Sequence, residues 1–159
     1  MPLTLRPVEP TDEPLLFELY ASTRIDELAA WGWDATQRDL FLKLQFNGQQ
    51  QHYRTHFAHA DHVIVELDDQ PIGRLIVARS EQDIHLADMI IQPAQRGCGI
   101  GTLLLRELLA EAARSHKPIR LNVLRTNRAL RLYQRLGFAV VGDNGTHLLM
   151  EARPSLDAE

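Results

Sequence analysis

The stretch Ile91-Gln92-Pro93-Ala94-Gln95-Arg96-Gly97-Cys98-Gly99-Ile100-Gly101-Thr102 decides how this chain is read. Before it, Ile84 to Ile91 has the apolar content of a strand. After it, Thr102 to Arg114 sets Leu104, Leu105, Leu108, Leu109 and Ala112 on one stripe and Arg106, Glu107 and Glu111 elsewhere, the pattern of an amphipathic helix. Glycines at 97, 99 and 101 therefore fall between a strand and a helix start. Glycine permits positive φ and close approach of backbone to ligand. The unsatisfied N–H groups of a helix start, aided by the helix dipole, form an anion site, and a diphosphate is the natural guest.

Two phosphate-binding signatures fit this loop poorly. A dinucleotide fingerprint needs a third glycine where Thr102 stands, and no acidic residue lies near Leu121 to Leu124 to hold a ribose. A Walker loop needs a lysine before its terminal threonine, and Gly101-Thr102 has none. Nicotinamide and nucleotide-hydrolysis chemistry are both disfavoured.

Outward from the loop, Leu3 to Val8 reads as an edge strand, and Thr11 can cap a helix carrying Leu15, Leu16, Leu19 and Tyr20. Leu40, Phe41 and Leu44 recur at helical spacing from Thr36 onward, and the polar run Gln45 to Arg54 around Gly48 suggests a break. His62 to Leu67 and Ile72 to Ala78 flank an acidic turn at Asp68-Asp69 and form a hairpin, with Ile84 to Ile91 as the next strand. Ile119 to Leu124 is a strand, Asn127 to Leu136 a helix ended by Gly137 in a left-handed cap, and Phe138 to Val141 pairs with Thr146 to Met150. The order is β-α-α-β-β-β-α-β-α-β-β.

The 159 residues suit one domain, and neither a repeat nor a low-complexity linker divides them. With 45% hydrophobic and 24% charged residues the composition is that of a folded globular chain. A net charge of -4 gives no overall attraction to nucleic acid or an anionic membrane and suits, weakly, an amine substrate. The opening residues lack a signal-peptide pattern and no apolar run reaches membrane-spanning length, so a cytoplasmic location is expected. A single cysteine, Cys98, excludes an internal disulfide and zinc sites built on paired cysteines.

Arg96-x-x-Gly99-x-Gly101 resembles the [QR]-x-x-G-x-[GA] signature of the GNAT superfamily of N-acetyltransferases. Asn127-Arg-Ala129-Leu-Arg-Leu132-Tyr133-Gln-Arg-Leu136-Gly137-Phe138 is similar to that superfamily's N-x-x-A-x-x-[LF]-Y-x-x-x-G-F segment. The likeness spans Ile84 to Met150, with further similarity to uncharacterised bacterial members at Tyr20 to Arg24 and around Gln49 to Tyr53. It implies an α/β (α+β) GNAT fold over 1–159: a central, mixed, mostly antiparallel sheet of about seven strands, flanked by about four helices and splayed at strands four and five. It also implies direct transfer of an acetyl group from acetyl-CoA to a primary amine of a small-molecule or peptide acceptor. Relatives often form homodimers through their last strands. A non-catalytic acyl-CoA sensor is the alternative from another class.

The resemblance also distributes roles, each with a plainer counterpart. Backbone of Met89 and Ile91 would pair with the pantetheine amides rather than only with another strand. The N–H of Ile90 or Ile91 would stabilise the oxyanion. Arg96, Gly97, Cys98, Gly99, Ile100, Gly101 and Thr102 would wrap the pyrophosphate. Asn127 would touch the CoA arm or serve as a helix cap. Tyr133 would protonate the departing thiolate, or be a core aromatic with a polar tip. Cys98 invites a covalent acyl-enzyme, but no partner base is evident and the family transfers directly.

The general base is sought on the strand before the loop. Alternation puts Asp83 and His85 on one face and Asp88, among Ile84, Leu86 and Ile90, on the other, and Asp83 and His85 are the candidates. Glu27, Trp31, Trp33, Gln49, His52 and Tyr53 belong to the segment that shapes the acceptor pocket in relatives, where mixed aromatic and polar groups suit an amine. Arg125, Arg128, Arg131 and Arg135 form either a solvated stripe or a contact to the CoA 3′-phosphate. His52 and His56 have metal-pair spacing, but no HExxH glutamate or third ligand accompanies them.

Overall fold

The computed structural model describes residues 3–154, apart from the side chains of residues 26 and 27. The chain runs β1 (Leu3–Pro7), α1 (Glu13–Ser22), α2 (Ile25–Ala29), α3 (Ala35–His56), β2 (Asp61–Leu67), β3 (Gln70–Arg79), β4 (Ile84–Ile91), α4 (Ile100–Ser115), β5 (Ile119–Leu124), α5 (Leu130–Arg135), β6 (Ala139–Asp143) and β7 (His147–Ala152), with 3-10 turns at Pro10–Asp12 and Pro93–Gln95. The seven strands form one sheet in the order β1-β2-β3-β4-β5-β7-β6. β1 and β2 are antiparallel, as are β5 with β7 and β7 with β6, whereas β4 and β5 are parallel. The sheet is thus the mixed, mostly antiparallel one expected. Four helices of six or more residues and the five-residue α2 accompany it among the described residues.

The fold divides into two units, Met1–Leu75 with Ile90–Gln95, and Ile76–Met89 with Arg96–Glu159. In the first, Leu16, Tyr20, Leu28, Leu42, Phe46 and Ile64 form a buried cluster. Asp68 and Asp69, at φ 51° and 65°, make the two-residue turn between β2 and β3. Positive φ at both positions matches the right-handed twist of the flanking strands, as the acidic dipeptide suggested. Arg6 donates to both carboxylate oxygens of Asp12 at 2.8 Å, and Asp12 Oδ2 also accepts from the N–H of Glu9 at 2.8 Å.

That network corrects the expectation at Thr11. The chain enters α1 through the 3-10 turn, which Asp12 and Glu9 close as a capping box, and Thr11 stays exposed. The expected break near Gly48 is also absent. α3 is one helix of 22 residues, started by a capping box in which Asp34 Oδ1 accepts from Gln37 N at 2.8 Å. A glycine inside a helix costs ~1 kcal/mol. Leu42 and Phe46 before Gly48 and Tyr53 after it are buried, and each such side chain contributes ~1.5–3 kcal/mol. Burial on both sides carries the helix through. α2 was not foreseen, and α5 is shorter than its sequence pattern, because Asn127 to Ala129 form a turn.

In the second unit, α4 buries Ile100, Leu104, Leu105, Leu108, Ala112 and Ala113 and stops at His116, whose φ of 56° ends the helix in the left-handed region. β5 pairs with β7 from Ile119↔Ala152 to Leu124↔His147. No helix among the described residues is long and apolar enough to cross a membrane.

Candidate active site

The parallel pairing of β4 with β5 covers Ile84↔Ile119, His85↔Arg120 and Leu86↔Leu121. β4 nevertheless continues to Ile91, and β5 to Leu124. The part of β4 that runs on past this ladder holds Asp88 and Met89, and it leads into the glycine loop.

The three glycines of that loop act differently. Gly97 and Gly99 have φ of 79° and 82°, where side chains are strained, and nothing crowds the space a β-carbon would take at either. Gly99 is the N-cap of α4 and, lacking a side chain, gives this helix start no cap of its own. A helix start leaves its leading N–H groups, here from Ile100 to Thr102, without partners inside the helix, the geometry that suits a phosphate oxygen. Gly101 has an ordinary helical backbone and is small for another reason. A β-carbon there would lie 3.4 Å from Leu132 Cδ2 and 3.7 Å from Met89 Cε. The end of β4, the start of α4 and helix α5 meet at this point.

Tyr133 follows Leu132 on α5. It is buried, at 6% exposure, with its ring edge-on to Phe138 at a centroid distance of 5.7 Å. Burial, and after it the charge of Asp88, push its phenol up to about 12. The hydroxyl is therefore protonated throughout the neutral range. Asp88 is the residue that alternation sets on the face opposite Asp83 and His85. It stands one residue before Met89 in the last stretch of β4.

Asp83 lies at the other end of β4, five residues before Asp88, or ~17 Å of strand. Its carboxylate accepts from Arg120 Nη1 at 3.0 Å and Ser80 Oγ at 3.1 Å. His85 is half-buried. Burial holds its imidazole below the usual range, with Asp83 opposing that shift and Arg120 adding to it. Asn127 Oδ1 accepts from the N–H of Ala129 at 2.7 Å and closes the turn before α5, but the helix starts at Leu130 with Ala129 as its N-cap and no side-chain cap, so Asn127 is not the helix cap expected of it. Cys98 is exposed, its sulfur 3.9 Å from the Arg96 carbonyl oxygen. Arg125, which pairs with Asp143, and Arg128, Arg131 and Arg135 are all exposed.

In the first unit, Gly73 of β3 abuts the end of β4. A β-carbon at Gly73 would run into the carbonyl oxygen of Ile90 and lie 2.9 Å from Ile91 Cδ1. Beyond it, Gln92 N donates to Ile72 O at 2.8 Å. Sequence reasoning missed Gly73, since a lone glycine within a strand signals close backbone approach without naming the partner.

The acceptor candidates separate. Tyr53 is buried and lines a cavity of about 450 Å³, but its companion there is Gln50, not Gln49. One residue turns a helix by ~100°, which is enough to take Gln49 off that wall. Trp31 and Trp33 are exposed and form an edge-to-face cluster with Phe41, at 5.1 to 5.6 Å between centroids. His52 is exposed and stacks on His56 at 4.4 Å. The Glu27 side chain lies outside the described ones. Among the described residues no group of three or more His, Cys, Asp or Glu could hold a metal.

A sequence profile of the acetyltransferase (GNAT) domain matches residues 58–140, more than half of the chain. The chain belongs to the GNAT acetyltransferase family. Among curated relatives it is 30% identical over 96 residues to the peptidyl-lysine N-acetyltransferase YjaB of Escherichia coli, covering 60% of each chain. It is 44% identical over 48 residues to a mycothiol acetyltransferase of Clavibacter sepedonicus, covering 30% of this chain and 16% of that one. The matches thus span less than two thirds of either relative. Among solved structures, the PaiA N-acetyltransferase of Thermoplasma acidophilum, in complex with coenzyme A, superposes with a TM-score of 0.70 at 17% identity, covering 96% of this chain and 99% of that one. PH1933 of Pyrococcus horikoshii superposes with a TM-score of 0.68 at 20% identity, covering 98% and 100%. At these identities the likeness concerns the fold.

Proposed function

We propose that residues 1–159 form a single acetyl-CoA-dependent N-acetyltransferase domain acting on a primary amine. The observation that carries this reading is the meeting of Gly101, Met89 and Leu132 beside Tyr133. There the glycine-bounded start of α4 and Met89 of β4 pack on the helix that carries Tyr133, whose protonated phenol feels the charge of Asp88 on β4, an arrangement that supports acyl transfer from a long diphosphate-bearing thioester. The coenzyme A complex of the PaiA relative, and the acetyltransferase names of both curated relatives, support the donor's identity.

In this reading the N–H groups from Gly97 to Thr102 hold the pyrophosphate, and the backbone of Met89 and Ile91 holds the pantetheine amides. The amine nitrogen attacks the thioester carbonyl carbon, the oxyanion is held by the N–H of Ile90 or Ile91, and the C–S bond breaks once the C–N bond has formed. Tyr133 gives its proton to the departing sulfur. The amine must be neutral to attack, and His85, whose imidazole burial holds below its usual range, accepts its proton through water with Asp83 as its charged neighbour. Asp88, whose charge reaches Tyr133, is the competing acceptor of that proton. Acetyl-CoA offered with a panel of amines should give free CoA thiol and an amine that gains one acetyl group by mass spectrometry. Binding of acetyl-CoA with no CoA released for any amine would overturn the proposal.

A further inference from the structure

The cavity of about 450 Å³ belongs wholly to the unit Met1–Leu75 with Ile90–Gln95, and it has a built wall. Gln50, Tyr53 and Arg54 of α3 and Arg74 of β3 line it, together with Glu9 and Glu13 from the approach to and start of α1. Arg74 is only 2% exposed, an uncommon position for a guanidinium. Its Nη1 donates to Gln50 Oε1 at 2.9 Å, and its guanidinium carbon stands 5.3 Å from the centre of the Tyr53 ring. An amide on one side and an aromatic face on the other fix the orientation of the planar group. A fixed, weakly hydrated guanidinium matches a carboxylate, which it can engage with two parallel hydrogen bonds. Glu9 and Glu13 supply the opposite charge and favour an ammonium in the same space.

The place of the cavity matters as much as its charges. Arg74 directly follows Gly73, which packs on the carbonyl of Ile90, and Ile90 and Ile91 are the residues assigned above to the oxyanion and the pantetheine. We infer that this cavity receives the acceptor, and that Arg74 reads a carboxylate on it while the glutamates draw in its amine. The acceptor class is then free amino acids or short peptides rather than simple amines. This inference rests on the acyl-transfer reading and adds the substrate class to it.

Calorimetric titration of the full chain, with and without acetyl-CoA, tests it on matched pairs: amino acids and dipeptides against their carboxamides. At least one carboxylate should bind about 10–100-fold more tightly than its carboxamide, the range expected of charge-assisted hydrogen bonds. R74M should abolish that preference and leave acetyl-CoA affinity within about twofold, and R74K should keep part of it. Equal binding within every pair, or a preference that survives R74M, overturns the inference. Should R74M fail to fold, the wild-type pairs and R74K decide. Failure of acetyl-CoA to bind would sink the acyl-transfer reading instead, and acetylation of carboxylates and carboxamides alike would sink only the inference.

Discussion

Asp88 on β4 and Tyr133 on α5 lie close enough for the carboxylate's charge to act on the phenol, and with burial as the larger cause the phenol is pushed up to about 12. A tyrosine in that state is a proton donor and not a base at any physiological pH. Among the described residues its ring packs against Phe138, a partner that would remain if the hydroxyl were removed.

Tyr133→Phe should therefore lower kcat by about 100-fold, the scale of a lost general acid, and leave the Kd for acetyl-CoA within about twofold. Because the phenol stays protonated well above neutrality, the wild-type kcat should show no falling limb from this group up to pH ~10. Steady-state kinetics across pH and direct titration of acetyl-CoA check both. Weaker binding with unchanged kcat would instead make Tyr133 a packing residue.

Gly99 and Gly101 should respond oppositely to alanine. At φ 82° an alanine at 99 costs ~1–2 kcal/mol and displaces the leading N–H groups of α4, so Tm should fall and the Kd for acetyl-CoA rise about tenfold. At 101 a methyl finds ordinary contact distances of 3.4 and 3.7 Å and improves helix propensity by ~1 kcal/mol, so Tm should hold or rise with little change in Kd. Thermal melts with and without acetyl-CoA read both.

Gly73→Ala has no such room. The methyl meets the Ile90 carbonyl oxygen, backbone that can yield only by shifting the end of β4. Stability should drop by ~1–3 kcal/mol, the usual range for overpacking, and acetyl-CoA affinity should drop with it. Denaturant unfolding and ligand titration of one variant separate the two effects.

His85 provides a test by pH. Its folded pKa lies below the ordinary 6.5, mainly through burial, so the unfolded chain binds its proton first as pH falls. Its contribution to stability is complete above 6.5 and is lost as pH falls from there toward the lower folded value. Tm should decline less between pH ~7 and pH ~5 in His85→Gln than in the wild type. If His85 also accepts the proton of the amine, the acidic limb of kcat/KM should have its midpoint below 6.5 and vanish in the variant. A limb that persists in His85→Gln and disappears in Asp88→Asn would assign that role to Asp88.

The sequence carried the family and the shape of the glycine loop because both rest on local chemistry. Gly97 and Gly99 are glycines for their own φ, the stripe of α4 follows from helical period, and Asn127 caps the turn two residues away. Such features need only neighbouring residues, so spacing reveals them. Local rules failed where distant partners compensate, as when burial of Leu42, Phe46 and Tyr53 carries α3 through Gly48, or when Arg6 makes Asp12, not Thr11, the residue at the entry to α1.

What only the tertiary structure decided is which residues meet across the sheet. It set Gly101 against Leu132 and Met89, Asp88 within reach of Tyr133, Gly73 on Ile90, and Arg74 between Gln50 and Tyr53. These pairs are separated by 12 to 45 positions in the chain, and a strand's period of two says which face a side chain takes but not what waits there. The glycine loop was legible alone because its positive φ values and the helix start after it are local features. The surroundings of Tyr133 and the cavity beside Arg74 were not, because burial and charge are properties of the packed fold.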